Sequence, residues 1–216
     1  MSSYDYVIIG AGSSGSALAG RLATNKNSKI LLIEAGPKDY NPYIKLPIGY
    51  GKLFYDQSVN WKYYTEPEEN LHGKKMYWPR GKVLGGSSSI NAMVFARGSR
   101  NDFDEWGAHA SGWSWQDIEP FFRKMETWNG KSDQSRGQSG PVRVTDVSTQ
   151  AHPLTDCFLE ATEQIGISKN PDYNTGNIEG SFVYQTNTHK GLRSSASNAY
   201  LSPIKRRKNL VIITRA

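Results

Sequence analysis

The sequence predicts an α/β fold that opens on a βαβ unit with parallel strands and continues into part of a mixed α+β region. Three observations carry this expectation. Residues 4–9 are rich in β-forming side chains and stop at Gly10, which reads as a buried strand ended by a glycine turn. Residues 14–23 place apolar or small side chains at Ala17, Leu18, Leu22 and Ala23 and turn Arg21 outward, the pattern of a helix packed closely on a sheet. Residues 29–33 form a second apolar run closed by Glu34, Ala35 and Gly36. A strand, a glycine turn, a helix and a second strand within about 30 residues make a crossover unit, and a crossover sets its two strands parallel.

The remaining elements follow in order. Residues 37–60 are rich in Pro, Gly, Tyr and Asn without a period, a long ordered excursion of the kind that serves function. Residues 61–65 read as a strand, and residues 81–91 are dense in glycine and serine before the apolar run 92–96. Ser114 and Asp117 have capping-box spacing ahead of Ile118, Phe121, Phe122 and Met125, which predicts a helix. Residues 129–140 read as a loop and 141–147 as a strand. Pro153 opens and Gly166 closes an amphipathic helix with Leu154, Phe158, Ala161 and Ile165 on its apolar face. Residues 180–188 and 210–214 read as strands. The expected segments are 1–140 for nucleotide binding, 141–189 for part of a substrate domain, and 190–216 for a return to the first, with the final strand read as cut short and the fold as incomplete.

The formal charge of +6 over 216 residues suits an anionic partner. The densest basic run, 205–208, is short and has no interleaved aromatics, so a solvated turn is expected and no nucleic-acid site. Cys157 is the only cysteine, which excludes an intrachain disulfide; beside the apolar helix face it is expected to be a buried, inert thiol. No signal peptide and no run of membrane-spanning length is present, so a cytoplasmic protein without a transmembrane segment is expected. No metal-ligand spacing occurs.

The first site is the run Gly10, Ala11, Gly12, Ser13, Ser14, Gly15. A dinucleotide needs its pyrophosphate against bare amides at a helix N-terminus. Gly10 permits the turn, Gly12 lets a phosphate approach, and Gly15 lets the helix pack on the strand. Glu34, with Ala35 beside it, follows where a carboxylate can accept hydrogen bonds from ribose hydroxyls. A strand before, a helix after and an acid at this distance point to a Rossmann-like dinucleotide site. The carboxylate disfavours a 2′-phosphate but does not separate FAD from NAD.

The second site is residues 79–98, where Gly85 and Gly86 precede Ser87, Ser88 and Ser89. Amides and hydroxyls there suit a phosphate or a ring carbonyl; a serine-capped helix start explains the composition equally well. The string as a whole resembles the first signature of the glucose–methanol–choline (GMC) oxidoreductases. The runs 60–61, 78–81, 102–106, 112–115, 193–195 and 199–201 resemble landmarks of the same family.

The resemblance implies FAD as cofactor, with the 10–15 turn on its pyrophosphate and Glu34 on its ribose. It places Val83, Gly85, Gly86 and Ser87 along the flavin and its linker, and Asn91, Ala92, Met93 and Val94 against the ring. Some relatives attach FAD through a His at the position matching Ile90. Ile90 has no nucleophilic atom, so non-covalent binding is expected. The implied reaction is oxidation of a small-molecule alcohol by hydride transfer to flavin, with an undetermined electron acceptor. The implied proton acceptor, a His with a second His or Asn, belongs to a part of such proteins beyond residue 216, so no catalytic residue is assigned here. His72, His109, His152 and His189 sit in no motif tied to proton transfer. Lyase or decarboxylase chemistry on the same scaffold, or a non-catalytic FAD-binding protein, are the other readings.

Overall fold

The computed structural model describes residues 3–131 and 134–216. In chain order the elements are β1 (Tyr6–Ile9), α1 (Ser13–Leu22), β2 (Ile30–Glu34), α2 (Pro42–Lys45), α3 (Tyr50–Leu53), β3 (Tyr63–Tyr64), β4 (Tyr77–Trp78), β5 (Val94–Phe95), α4 (Arg100–His109), α5 (Trp115–Met125), β6 (Glu126–Trp128), β7 (Val142–Val144), α6 (Pro153–Gln164), β8 (Gln185–Thr186), β9 (Thr188–His189), β10 (Leu192–Arg193) and β11 (Leu210–Thr214). They form two compact units, residues 1–93 with 190–216, and residues 94–189. The boundary expected near 140 falls inside the second unit, because β6 pairs with β7 across it, Glu126 opposite Val142.

The first unit is built on a parallel sheet in the order β1-β2-β11. Tyr6 stands opposite Ile30, and Leu210 opposite Ile30 from the other side. Side chains alternate across a pleated strand, so one face collects Ile8, Ile30, Leu32 and Leu210. Ala11, Ala19, Ala23, Leu84, Leu201 and Ile204 complete that core. The opposite face leaves Val7, Ile9, Val211 and Ile213 exposed.

The helix expected after Gly10 is α1, but it packs through Ser16, Ala19 and Ala23. Leu18, expected on the packed face, is half exposed. Leu22 packs partly buried against the same core as expected, and the helix comes close to the chain at Tyr200, where a Cβ at Gly20 would lie 3.1 Å from that of Tyr200.

The excursion after Pro37 is ordered around Asn60, which is 2% exposed. Its Nδ2 donates to the Phe54 carbonyl and the Tyr77 hydroxyl, and its Oδ1 accepts from the Lys62 and Arg80 amides. One carboxamide thus ties α3 to both strands of the β3–β4 hairpin. Ile44, Leu53, Val59, Val83 and Ile90 pack beneath it.

In the second unit α5 lies where Ser114 and Asp117 predict it. The Asp117 carboxylate accepts from the Ser114 amide and hydroxyl. Helix α4 was not anticipated. Its signal was legible, since Ser99 caps the Asp102 amide and Asp102 accepts from the Ser99 amide. The predicted α6 is present, but Leu154, Phe158 and Ile165 are exposed, and so is Cys157. The expected burial of that thiol is therefore wrong: α6 carries no buried residue. The strand expected over 180–188 shrinks to β8 and the start of β9.

A buried charge network orders this unit. Glu126 accepts from Arg97 at 2.6 Å and from Arg136 at 2.8 Å, with all three side chains fully buried. Arg136 also reaches Asp172 at 2.7 Å, and Gln185 and Asn174 close the network. Burial pushes the Arg97 guanidinium down, and Glu126 only partly offsets this. Burial acts the same way on Arg136, but there Glu126 and Asp172 together prevail and hold it above the ordinary arginine value. Tyr173 donates to the Phe95 carbonyl at 2.5 Å, and burial raises its phenol.

Candidate active site

The glycine turn between β1 and α1 is held from beneath. Glu34, 6% exposed at the end of β2, accepts from the Ala11 amide through Oε2 and from the Gly36 amide through Oε1, both at 2.8 Å. Ser16, fully buried, donates its hydroxyl to the Ala11 carbonyl. Sequence reasoning assigned Glu34 to a ribose. In the structure each of its oxygens first serves the loop, and the remaining lone pairs are what a hydroxyl could use. Ala35 lines a cleft of about 940 Å³ with Pro37, Tyr40, Asn41 and Lys82, adjoining the end of β2.

The three loop glycines divide by what surrounds them. A Cβ at Gly15 would overlap the Gly10 carbonyl, so Gly15 serves packing. Gly10 has φ of +91°, which requires glycine. At both Gly10 and Gly12 a Cβ would meet nothing within 4 Å. Gly12 is the N-cap of α1, and no side chain caps that end. Ser13 and Ser14 follow it and are exposed. An uncapped helix N-terminus facing open space beside bare backbone has the free amides that an anionic group could accept hydrogen bonds from.

The second predicted segment lies along this turn. A Cβ at Gly36 would overlap the Lys82 carbonyl, and a Cβ at Gly86 would lie 2.7 Å from the Gly12 Cα. The Gly85 amide donates to the Ala11 carbonyl at 2.7 Å. The segment therefore passes the end of β2 at Lys82, crosses the 10–15 turn at Gly86, and continues to Asn91. Val83 is fully buried and packs with Ile44, Leu53, Val59 and Ile90. The serines do not present a row of free hydroxyls as the composition suggested. Ser88 donates to the Gly85 carbonyl and Ser89 to the Leu84 carbonyl, which stabilises the turn itself; Ser87 accepts from the Gly81 amide and is exposed.

Asn91 and Ala92 are exposed, and Met93 is buried with φ of +64°. A left-handed methionine is strained, and such strain gathers at functional positions. Val94 opens β5 in the second unit and is half exposed. Residues that sequence reasoning did not single out are Ser16, Gly36 and Lys82, whose roles arise from contacts across the sheet ends.

The GMC oxidoreductase profile matches residues 4–216. The chain belongs to the GMC oxidoreductase family. It is 42% identical over 210 residues to the oxygen-dependent choline dehydrogenase of Rhizobium etli (strain CIAT 652), a match covering 97% of this chain and 38% of that protein. The chain thus spans about two fifths of the length of the curated GMC relatives it matches. Among solved structures, pyridoxine 4-oxidase from Mesorbium loti superposes with a TM-score of 0.93 at 34% identity, over 99% of this chain and 42% of the other. An FAD-dependent oxidoreductase from Chaetomium thermophilum superposes with a TM-score of 0.88 at 30% identity, over 98% and 38%. Among the described residues no helix is long and apolar enough to cross a membrane.

Proposed function

We infer that this chain holds FAD for a protein that oxidises the CH–OH group of an alcohol. The observation that carries the reading is the open, uncapped N-terminus of α1 beside Gly10 and Gly12, crossed at Gly86 by the second glycine segment. The amides of the turn would bind the pyrophosphate, and the spare lone pairs of Glu34 the adenosine ribose. The 940 Å³ cleft that starts at Ala35 has room for the adenosine end. The flavin supplies a two-electron acceptor for the hydrogen on the alcohol carbon. Gly85, Gly86 and Ser87 would flank it on the way to Asn91, Ala92, Met93 and Val94. In this reading residues 1–93 with 190–216 form the FAD-binding portion.

Binding is proposed to be non-covalent. Ile90 has no nucleophilic atom and is 2% exposed, packed with Ile44, Leu53 and Val83. The four histidines are exposed, and His152 spends its Nδ1 accepting from the Leu154 amide as the cap of α6. None is offered as the proton acceptor, which we place in polypeptide outside residues 1–216.

The test is to purify the full-length protein and add a panel of primary alcohols without oxygen. Flavin absorbance that bleaches with an alcohol is expected, and acid precipitation should leave yellow supernatant over a white pellet. A colourless protein that cannot be reconstituted with FAD would sink the cofactor reading. A yellow pellet would overturn non-covalent binding alone, and a bound flavin that no alcohol reduces would favour another chemistry on the scaffold.

A further inference from the structure

Three arginines are buried to 4% exposure or less: Arg97, Arg136 and Arg193. The first two face carboxylates. Arg193, in the first unit, faces only neutral oxygens among the described residues. Its Nε donates to the Ile44 carbonyl at 2.8 Å, and its Nη1 donates to the Ser88 carbonyl at 3.2 Å and to Asn91 Oδ1 at 2.8 Å. Its Nη2 is buried without a hydrogen-bond partner. Burial pushes this guanidinium down, to about 10, and no neighbouring charge holds it up. It stays protonated at neutral pH. A buried cation with no counter-charge is costly, and an unsatisfied donor on it asks for a functional reason.

Its position supplies one. The 82–91 segment meets Gly36 first and Gly12 second, the order in which adenosine ribose and pyrophosphate follow along a dinucleotide. Asn91 lies further along the same path, toward the flavin. Asn91 Oδ1 already accepts from Arg193 and from the Met93 amide at 3.1 Å. Two donors on that oxygen fix the carboxamide and leave its NH₂ for the exposed side.

We propose that Arg193 is a positioning residue for the flavin, locking Asn91 and carrying a positive charge that favours the reduced cofactor. The assignment rests on flavin binding in this unit. Oxidation of the alcohol passes a hydride to the flavin while the hydroxyl proton leaves to a base. The hydride brings two electrons and one proton, so the cofactor gains one negative charge. An uncompensated guanidinium nearby stabilises that gain more than it stabilises the neutral ring.

The experiment uses full-length protein, with Arg193→Gln, which keeps donors and removes the charge, and Arg193→Lys, which keeps the charge. Apoprotein is titrated with oxidised and with reduced FAD up to saturation, and the midpoint potential of the holoprotein is measured. In Arg193→Gln the ratio of reduced to oxidised affinity should fall about tenfold, about 30 mV in a two-electron couple. In Arg193→Lys the ratio should stay within roughly twofold of wild type while both affinities weaken, because an ammonium cannot reproduce the planar fork. An unchanged ratio in Arg193→Gln overturns the proposal, whatever happens to thermal stability. Should that variant not fold, a tenfold fall in Arg193→Lys overturns it. Wild-type protein that binds neither form would instead remove the flavin reading itself.

Discussion

Replacing Gly12 by valine should abolish flavin binding while the protein stays folded. Gly12 has φ of −68°, a value that valine adopts without strain, and a Cβ there meets no atom within 4 Å. The added side chain would therefore start into the open space over the N-terminus of α1. Affinity for FAD should fall on the order of 100-fold or more, about 3 kcal/mol, because the phosphate loses its approach to the amides. Flavin content and thermal unfolding of the full-length variant check both halves. Wild-type flavin content would remove the pyrophosphate from this turn. Two comparisons sharpen the result. Gly15→Val should disrupt folding itself, since a Cβ there overlaps the Gly10 carbonyl. Cys157→Ser should retain full flavin, because that thiol is exposed on α6 in the other unit.

Glu126→Ala should be the most destabilising single change in the second unit, by about 3–5 kcal/mol. The carboxylate is fully buried between Arg97 and Arg136 and also accepts from the Gly137 amide. Among the described residues, its removal leaves Arg97 with no ion-pair partner and Arg136 with that of Asp172. The pair of Glu119 and Arg123, with side chains 19% and 44% exposed, offers the contrast. Arg123→Ala, which breaks it together with the Nη1 hydrogen bond to the Gln134 carbonyl, should cost only about 1 kcal/mol. Urea unfolding of the full-length variants measures both. Comparable losses for the two would show that burial does not set the strength of the Glu126 network.

The parallel β1–α1–β2 unit was legible because short-range patterns specify it: an apolar run, glycines at set spacing, then a second apolar run. So was α5, through Ser114 and Asp117. The glycine-serine segment was legible as a motif, though not as a structure. Its serines looked like ligands for an anion, and Ser88 and Ser89 turned out to bond their own turn. Helix periodicity located α6 but could not tell whether its apolar face has anything to pack against. The same periodicity put Leu18 inward, whereas the buried face of α1 runs through Ser16, Ala19 and Ala23 and leaves Leu18 half exposed.

Residues 10–15 by themselves determine a glycine turn that leads into a helix N-terminus, because backbone freedom at glycine and the dipole of the following helix are local properties. The tertiary structure decided which of those glycines face open space and which face backbone, and that Glu34 secures the loop before it can meet a ribose. It also decided the partners of the buried arginines. Arg97 and Glu126 are 29 residues apart, and Arg193 lies 102 residues from Asn91. A charge acquires its meaning from what surrounds it after folding, and no pattern along the chain records which oxygen a guanidinium will meet when water has been excluded.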